Sequence, residues 1–294
     1  MTKKQVCAIV VFYKAGEKEF LNVIHTDKQT SQTIVVFNGQ TDTEKELTQK
    51  HFAKTEIKTI INDQNLGIAA ALNQGVKKAI KQNFQWVLTL DQDSTIGEKM
   101  VDKMLSVYEE MLKDGINKNQ IGILEPVLVD KLTGFEKRKN KSELTYIQIK
   151  DCYTSGNLIP TEVFSRAGFY NEGLFLYHVD TDFNLNLINN GLKIYEVSNA
   201  TLYHQEGSLT EHKLFGKTFS TTNHSKIARY YFARNEILML RKYWLTNPNW
   251  CLESINWYIR MLLKVVIFEK DRLAKFKFTI IGILDGMMNR IGKL

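Results

Sequence analysis

Five short apolar runs, separated by turns and helical stretches, constrain this chain more than any other feature. They are VCAIVVFY (6–13), TIVVF (33–37), EIKTII (56–61), WVLTL (86–90) and IGILEPVLV (121–129). Short runs of this kind, rich in valine and isoleucine, fit strands buried on both faces. Between them, IAAALNQGVKKAI (68–80) sets Ile68, Ala71, Leu72, Val76 and Ile80 on one side of a helix. GEKMVDKMLSVYEEMLKDG (97–115) is a second helix ending at a glycine. Strands alternating with helices predict an α/β domain with a mostly parallel central sheet flanked by helices. Further on, TEVFSRAG and DTDFNLNLINNG read as helices and KIYEVS as a strand. From about residue 224 the strand and glycine signals fade, and HSKIARYYFARNEILMLRKYW and then 250–290 read as helices. The expected division is an α/β domain over 1–215 and a helical extension over 216–294.

Composition narrows the class. Only 3 prolines and 17 glycines in 294 residues argue against long linkers. Cys7, Cys152 and Cys251 stand far apart without a zinc spacing, which predicts buried free thiols in a reducing compartment. The start MTKKQVCAIVVF has too short an apolar run for a signal peptide, and no run of 18 apolar residues occurs. A cytoplasmic location is therefore expected. The net charge is +7, and the stretch from Cys251 onward carries 8 Lys/Arg against 4 Asp/Glu. Such an excess suits nucleic acid, anionic lipid or an anionic substrate. No nucleic-acid-binding module is recognisable, so nucleic acid is not an expected partner.

Four places hold residues fit for chemistry. Asp91 and Asp93, in VLTLDQDSTIG, follow a buried strand, and a D-x-D pair there suits a hard divalent cation shared with phosphates. Acids that merely start the next helix would look the same. In NLGIAAALNQG, Asn65 and Gly67 precede a helix whose N-terminus favours a phosphate, or simply cap it. Asp180 and Asp182, in LFLYHVDTDF, offer a general base, or else first-turn acids of a helix. His204, in ATLYHQEG, is a loop histidine able to complete a metal site, or a polar residue that is merely satisfied. No GxSxG nucleophile and no Walker loop is present.

In order along the chain, VVFY, NLGIAAALNQG, LTLDQDS, TSGNLIP, GFYNEGLF, VDTDF and LYHQEG resemble the family 2 glycosyltransferases, most closely their bacterial rhamnosyltransferase-like branch. RYYFARNEILMLRKYW and FKFTIIGILDG extend the resemblance over nearly the whole chain. The resemblance implies a GT-A fold with a nucleotide-sugar donor across the carboxyl ends of the strands. It implies that Asp93 ligates Mg²⁺ or Mn²⁺ on the donor diphosphate, that Asp91 lies near the ribose or the metal, and that His204 closes the metal site. Asn65, Gly67, Tyr13 and Phe37 would face the donor, Asp180 would be the catalytic base, and Asp182 and Tyr177 would face the acceptor. A single displacement with that base inverts the anomeric centre, by the geometric logic of inverting glycosidases.

The sequence also departs from the family pattern. Phe37 stands where an acid commonly recognises the nucleotide base, Tyr177 where an aspartate is frequent, Asn186 where an arginine is, and Lys14 where an asparagine is. Phe37 is expected to stack on the base instead. Rhamnose from dTDP-rhamnose is the first donor implied, a UDP-hexose such as UDP-galactose the second, and a catalytically silent sugar-binding scaffold the third reading. The implied acceptor is a saccharide, lipid-linked, in synthesis of a capsular or cell-wall polysaccharide. NWYIRMLLKVVIFEKDRLAKFKFTIIGILDG reads as basic and amphipathic, suited to peripheral contact with the inner face of the membrane or to packing within the protein. RYYFARNEILMLRKYW offers a homodimer contact.

Overall fold

A computed structural model describes residues 5–131, 134, 136, 144–204, 210–214, 217–221 and 224–294. The chain forms two compact units, one of Met1–Glu172 with Val179–Gln205, the other of Gly173–His178 with Glu206–Leu294. The boundary expected near 216 lies outside the described residues.

The first unit is built on one twisted sheet. Its strands are β1 (Val6–Phe12), β2 (Gln32–Asn38), β3 (Lys58–Asn62), β4 (Trp86–Asp91), β5 (Thr95–Ile96), β6 (Ile121–Asp130), β7 (Tyr146–Ile149), β8 (Leu158–Pro160) and β9 (Lys193–His204). They lie in the order β3-β2-β1-β4-β8-β6-β9-β5, with β7 also on β9. Strands β1 to β4, β6 and β9 point one way; the short β5, β7 and β8 run against them. All of β1 is buried and β4 nearly so, whereas β3 at the sheet edge leaves Ile61 exposed. The chain leaves β1 toward β2 on one side and returns at β4 on the other. Ligands of open α/β sheets bind at such a switch point, at the carboxyl ends of the strands.

Among the described residues this unit also holds the α-helices α1 (Glu17–Asp27), α2 (Asp42–Phe52), α3 (Ile68–Lys81), α4 (Met100–Lys113), α5 (Val163–Ala167) and α6 (Val179–Asn189). In α3 the buried face carries Ala69, Ala71, Leu72, Val76 and Ala79, while the expected Ile68 and Ile80 are only partly covered. Helix α4 starts three residues later than expected. A Cβ at Gly97 would meet the Thr201 carbonyl oxygen at 2.7 Å, so Gly97 serves the strand crossing rather than the helix.

Two helices escaped the periodicity. In α1 only Phe20, Val23 and Thr26 are buried, and in α2 only Glu44 and Phe52, too thin a stripe to read. Helix α2 is held by its cap instead. Thr41 accepts from the Glu44 N–H, while Glu44 accepts from the Thr41 N–H and from the Ala15 N–H at 2.8 Å.

The second unit holds a hairpin of β10 (Thr210–Leu214) and β11 (Lys217–Thr221) and the helices α7 (Lys226–Tyr243), α8 (Pro248–Phe268) and α9 (Arg272–Met287). Helix α9 lies against α7 through Gly282 and Gly286. A Cβ there would meet the Tyr230 oxygen at 2.4 Å and the Arg234 oxygen at 2.7 Å. Glu269 is buried between Arg229 and Lys275, whose nitrogens lie 2.5 and 2.8 Å from its oxygens. Arg234 and Asn235 are fully buried and donate to the carbonyls of Leu174, Leu176 and Tyr177. Of the α7 sequence that offered a dimer contact, Arg229, Tyr230, Tyr231, Arg234, Asn235 and Glu236 are buried, while Arg241, Lys242 and the following Trp244 are exposed.

Candidate active site

Strand β4 delivers Asp91 to the carboxyl edge of the sheet, level with Val11 of β1. The next residues turn through Asp93 into β5, which pairs with Tyr203 and Leu202 of β9. That pairing brings His204 beside the turn, its Nδ1 3.5 Å from Asp93 Oδ1. One ligand atom each from Asp91, Asp93 and His204 lie within 4.8 Å of one another, the one such cluster among the described residues. Burial pushes the Asp91 carboxyl up to about 6, Asp93 and Asp180 push the same way, and His204 opposes them. Carboxylates crowded like this call for a cation.

Hydrogen bonds from residues that sequence reasoning missed hold the cluster in shape. Ser94 Oγ lies 3.0 Å from His204 Nδ1 and 2.8 Å from Ser155 Oγ. Ser155 Oγ accepts the Asp91 N–H at 3.0 Å. The two serines therefore connect the imidazole to the strand end that carries the first carboxylate. Lys131 ties the same two chain segments from the other side, donating from its backbone N–H to the His204 oxygen and from Nζ to the Asp93 oxygen. Gln92 accepts the Tyr13 N–H at 2.8 Å and so joins the ends of β1 and β4. Ser155 was on view in TSGNLIP; Lys131 carried no signal.

The remaining expected residues divide. Asp180 stands in the first turn of α6, half-buried, with Oδ1 accepting the Thr181 N–H at 2.8 Å, and its charge reaches Asp91. Asn65 folds back on its own loop, Oδ1 accepting from the Gly67 N–H and the Asn38 amide. Gly67 caps α3 at φ 90°, a backbone that favours glycine. Asn38, a further residue missed, accepts the Leu66 N–H and donates to the Gly67 oxygen, which sets the loop at the end of β2. Tyr13 is exposed at the end of β1. After it, Lys14 adopts φ 56°, a left-handed position that asparagine tolerates better than lysine.

Two expectations are corrected. Phe37 is fully buried, packed edge-on to Phe12 with ring centroids 5.5 Å apart, so it has no face to offer a nucleobase. Its side alternates into the core, and the polar group at that strand end is Asn38. Asp182 is 2% exposed and so is not presented to an acceptor. Tyr177 belongs to the second unit, at φ 65°, with its ring on Phe232 at 4.9 Å. Gln205, Glu206 and Gly207 of LYHQEG lie outside the described residues.

A mostly parallel sheet with a D-x-D turn at the carboxyl edge and a histidine beside it matches a GT-A glycosyltransferase fold. The family model for glycosyl transferase family 2 matches residues 7–167, more than half of the sequence, and the chain belongs to that family; it is a glycosyltransferase. It is 27% identical to the dTDP-rhamnosyl transferase RfbF of Shigella flexneri, over 98% of this chain and 97% of that protein. Among solved structures, S. aureus TarS 1–349 in complex with UDP-GlcNAc superposes with a TM-score of 0.60 at 14% identity, covering 97% of this chain and 81% of that one. GalNAc-T7 with UDP, GalNAc and Mn²⁺ gives 0.55 at 14% identity, over 72% of this chain but 44% of its own. At such identities these likenesses speak for the fold.

Proposed function

We propose that this protein transfers rhamnose from dTDP-rhamnose to a saccharide acceptor, with inversion and with a divalent cation. The observation that carries the reading is the cluster of Asp91, Asp93 and His204 at the switch point of the sheet. Two carboxylates and an imidazole fit Mg²⁺ or Mn²⁺, and a cation there would favour the charged form of the Asp91 carboxyl, which burial first and Asp93 next push upward. Such a cation stabilises the charge that develops on the departing nucleoside diphosphate.

The protein's own groups do the rest. Asp91 and Asp93 would hold the cation, Ser94 bonds the His204 ring through Nδ1, and Ser155 keeps the strand end in place. Gly67 and the N–H groups that open α3 face the donor's phosphates or sugar. Asp180 accepts the proton of the acceptor hydroxyl as it attacks the anomeric carbon, and that attack from the far side inverts the centre.

The sugar assignment rests on the likeness to RfbF along nearly the full chain. UDP-hexose transfer is the second reading, since TarS and GalNAc-T7 were solved with UDP-GlcNAc and with UDP. The acceptor is proposed to be lipid-linked, with the enzyme working at the inner face of the membrane in surface polysaccharide synthesis. A panel of nucleotide sugars, assayed for binding and metal-dependent hydrolysis beside Asp93→Ala, tests the reading. Turnover of dTDP-rhamnose that is lost with chelator and in the variant supports it. A folded protein that binds no donor, with or without Mn²⁺, would leave the silent scaffold standing.

A further inference from the structure

Helix α9 buries one side, with Lys275, Thr279, Gly282, Asp285 and Gly286, in its own unit. The other carries Leu273, Phe276, Ile280, Leu284 and Met287, spaced by 3, 4, 4 and 3 residues and so stacked along one stripe, yet 42% to 88% exposed. Over 16 residues the helix runs about 24 Å. A continuous apolar stripe of that length on a monomer surface marks an interaction site. Helix α8 repeats the arrangement, with Leu252, Ile259, Leu263 and Val266 exposed beside the exposed Arg260 and Lys264.

The charges around α9 choose the partner. Lys270, Arg272, Lys277, Arg290 and Lys293 are exposed, whereas among the acids from 270 onward only Asp271 is. Asp285 is buried, accepting from Tyr230 and from Arg290, and Glu269 is enclosed by Arg229 and Lys275. The acids are thus spent inside and the bases left outside. A second copy docked on this face would set basic residues against basic residues. We propose that the outward side of α9 is a docking surface for an anionic lipid bilayer, on which the helix lies in the plane of the headgroups. No helix among the described residues is long and apolar enough to cross a membrane, which agrees with an interfacial role. The inference deepens the proposed function by placing the enzyme beside a lipid-linked acceptor, yet it stands on the surface alone.

The test is vesicle flotation of the full-length protein, which needs no turnover and so cannot be confused with a failure of the active-site reading. Wild type is expected to float with phosphatidylcholine vesicles containing a quarter phosphatidylglycerol and not with phosphatidylcholine alone. The Lys270→Gln/Lys277→Gln pair should lose about 5-fold in affinity per charge removed. The Leu273→Glu/Leu284→Glu pair should abolish flotation at an unchanged melting temperature, since neither side chain is in the buried face. No flotation with anionic vesicles, or equal flotation with neutral ones, overturns the proposal. A wild-type dimer in light scattering that Leu284→Glu converts to a monomer, without lipid binding, would assign the face to a second copy.

Discussion

At the scale of single residues, the site shows a conflict between stability and function. The carboxyl of Asp91 is held near 6, above its ordinary 3.8, chiefly by burial. Because the folded state binds this proton more tightly than the unfolded chain, stability falls as pH rises through that window and stays reduced above it. The metal-free Asp91→Asn variant should therefore melt at a higher temperature than wild type at about pH 7.5, and at about the same temperature near pH 4, by calorimetry. The same change should weaken Mn²⁺ binding. Ser94→Ala leaves every proposed ligand in place but frees the imidazole, so Mn²⁺ affinity read by electron paramagnetic resonance should drop about 10-fold. Gly67→Ala forces a side chain into a positive-φ backbone and should cost about 1–3 kcal/mol in urea unfolding. The serines illustrate what a sequence hides. TSGNLIP is visible as a motif, but nothing in it states that Ser155 takes the Asp91 N–H, because the two are 64 residues apart.

At the scale of elements, strand and helix periodicity worked where one face meets the core and failed where it does not. The runs at 6–13, 33–37 and 86–90 became β1, β2 and β4 within a residue or so, because each is enclosed on both sides. Helices α1 and α2 bury three and two residues, and no stripe of apolar residues announces them. The short β5, β7 and β8 are strands only because a neighbour supplies their hydrogen bonds, so their four or fewer residues carry no pattern of their own. In the second unit the close approach of α7 and α9 depends on two small residues. Gly282→Ala should destabilise that unit by about 1–3 kcal/mol, since its Cβ would press on the Tyr230 oxygen at 2.4 Å. Chemical denaturation of wild type and variant checks this.

At the scale of the whole molecule, the chain is two compact units, and ligands should report on them separately. A nucleoside diphosphate with Mn²⁺, at about 100 times its Kd, stabilises the folded site by about 2.7 kcal/mol. In thermal melts this should raise the transition of the α/β unit by about 5–11 °C. If the two units melt apart, the helical unit's transition should stay where it is, and chelator should reverse the shift. A nucleotide that moves neither transition would speak against the proposed donor site. By itself the sequence determined the α/β class and the family, and it singled out Asp91, Asp93, Asp180 and His204 as the residues to test, because strand periodicity and short motifs are local properties. Tertiary structure alone decided that Phe37 is core and Asp182 is buried, since burial depends on what packs above a residue. It also decided that β5 and β9 bring a histidine and a D-x-D turn together from 111 residues apart. And it left the apolar stripe of α9 uncovered, which periodicity cannot distinguish from a side that packs.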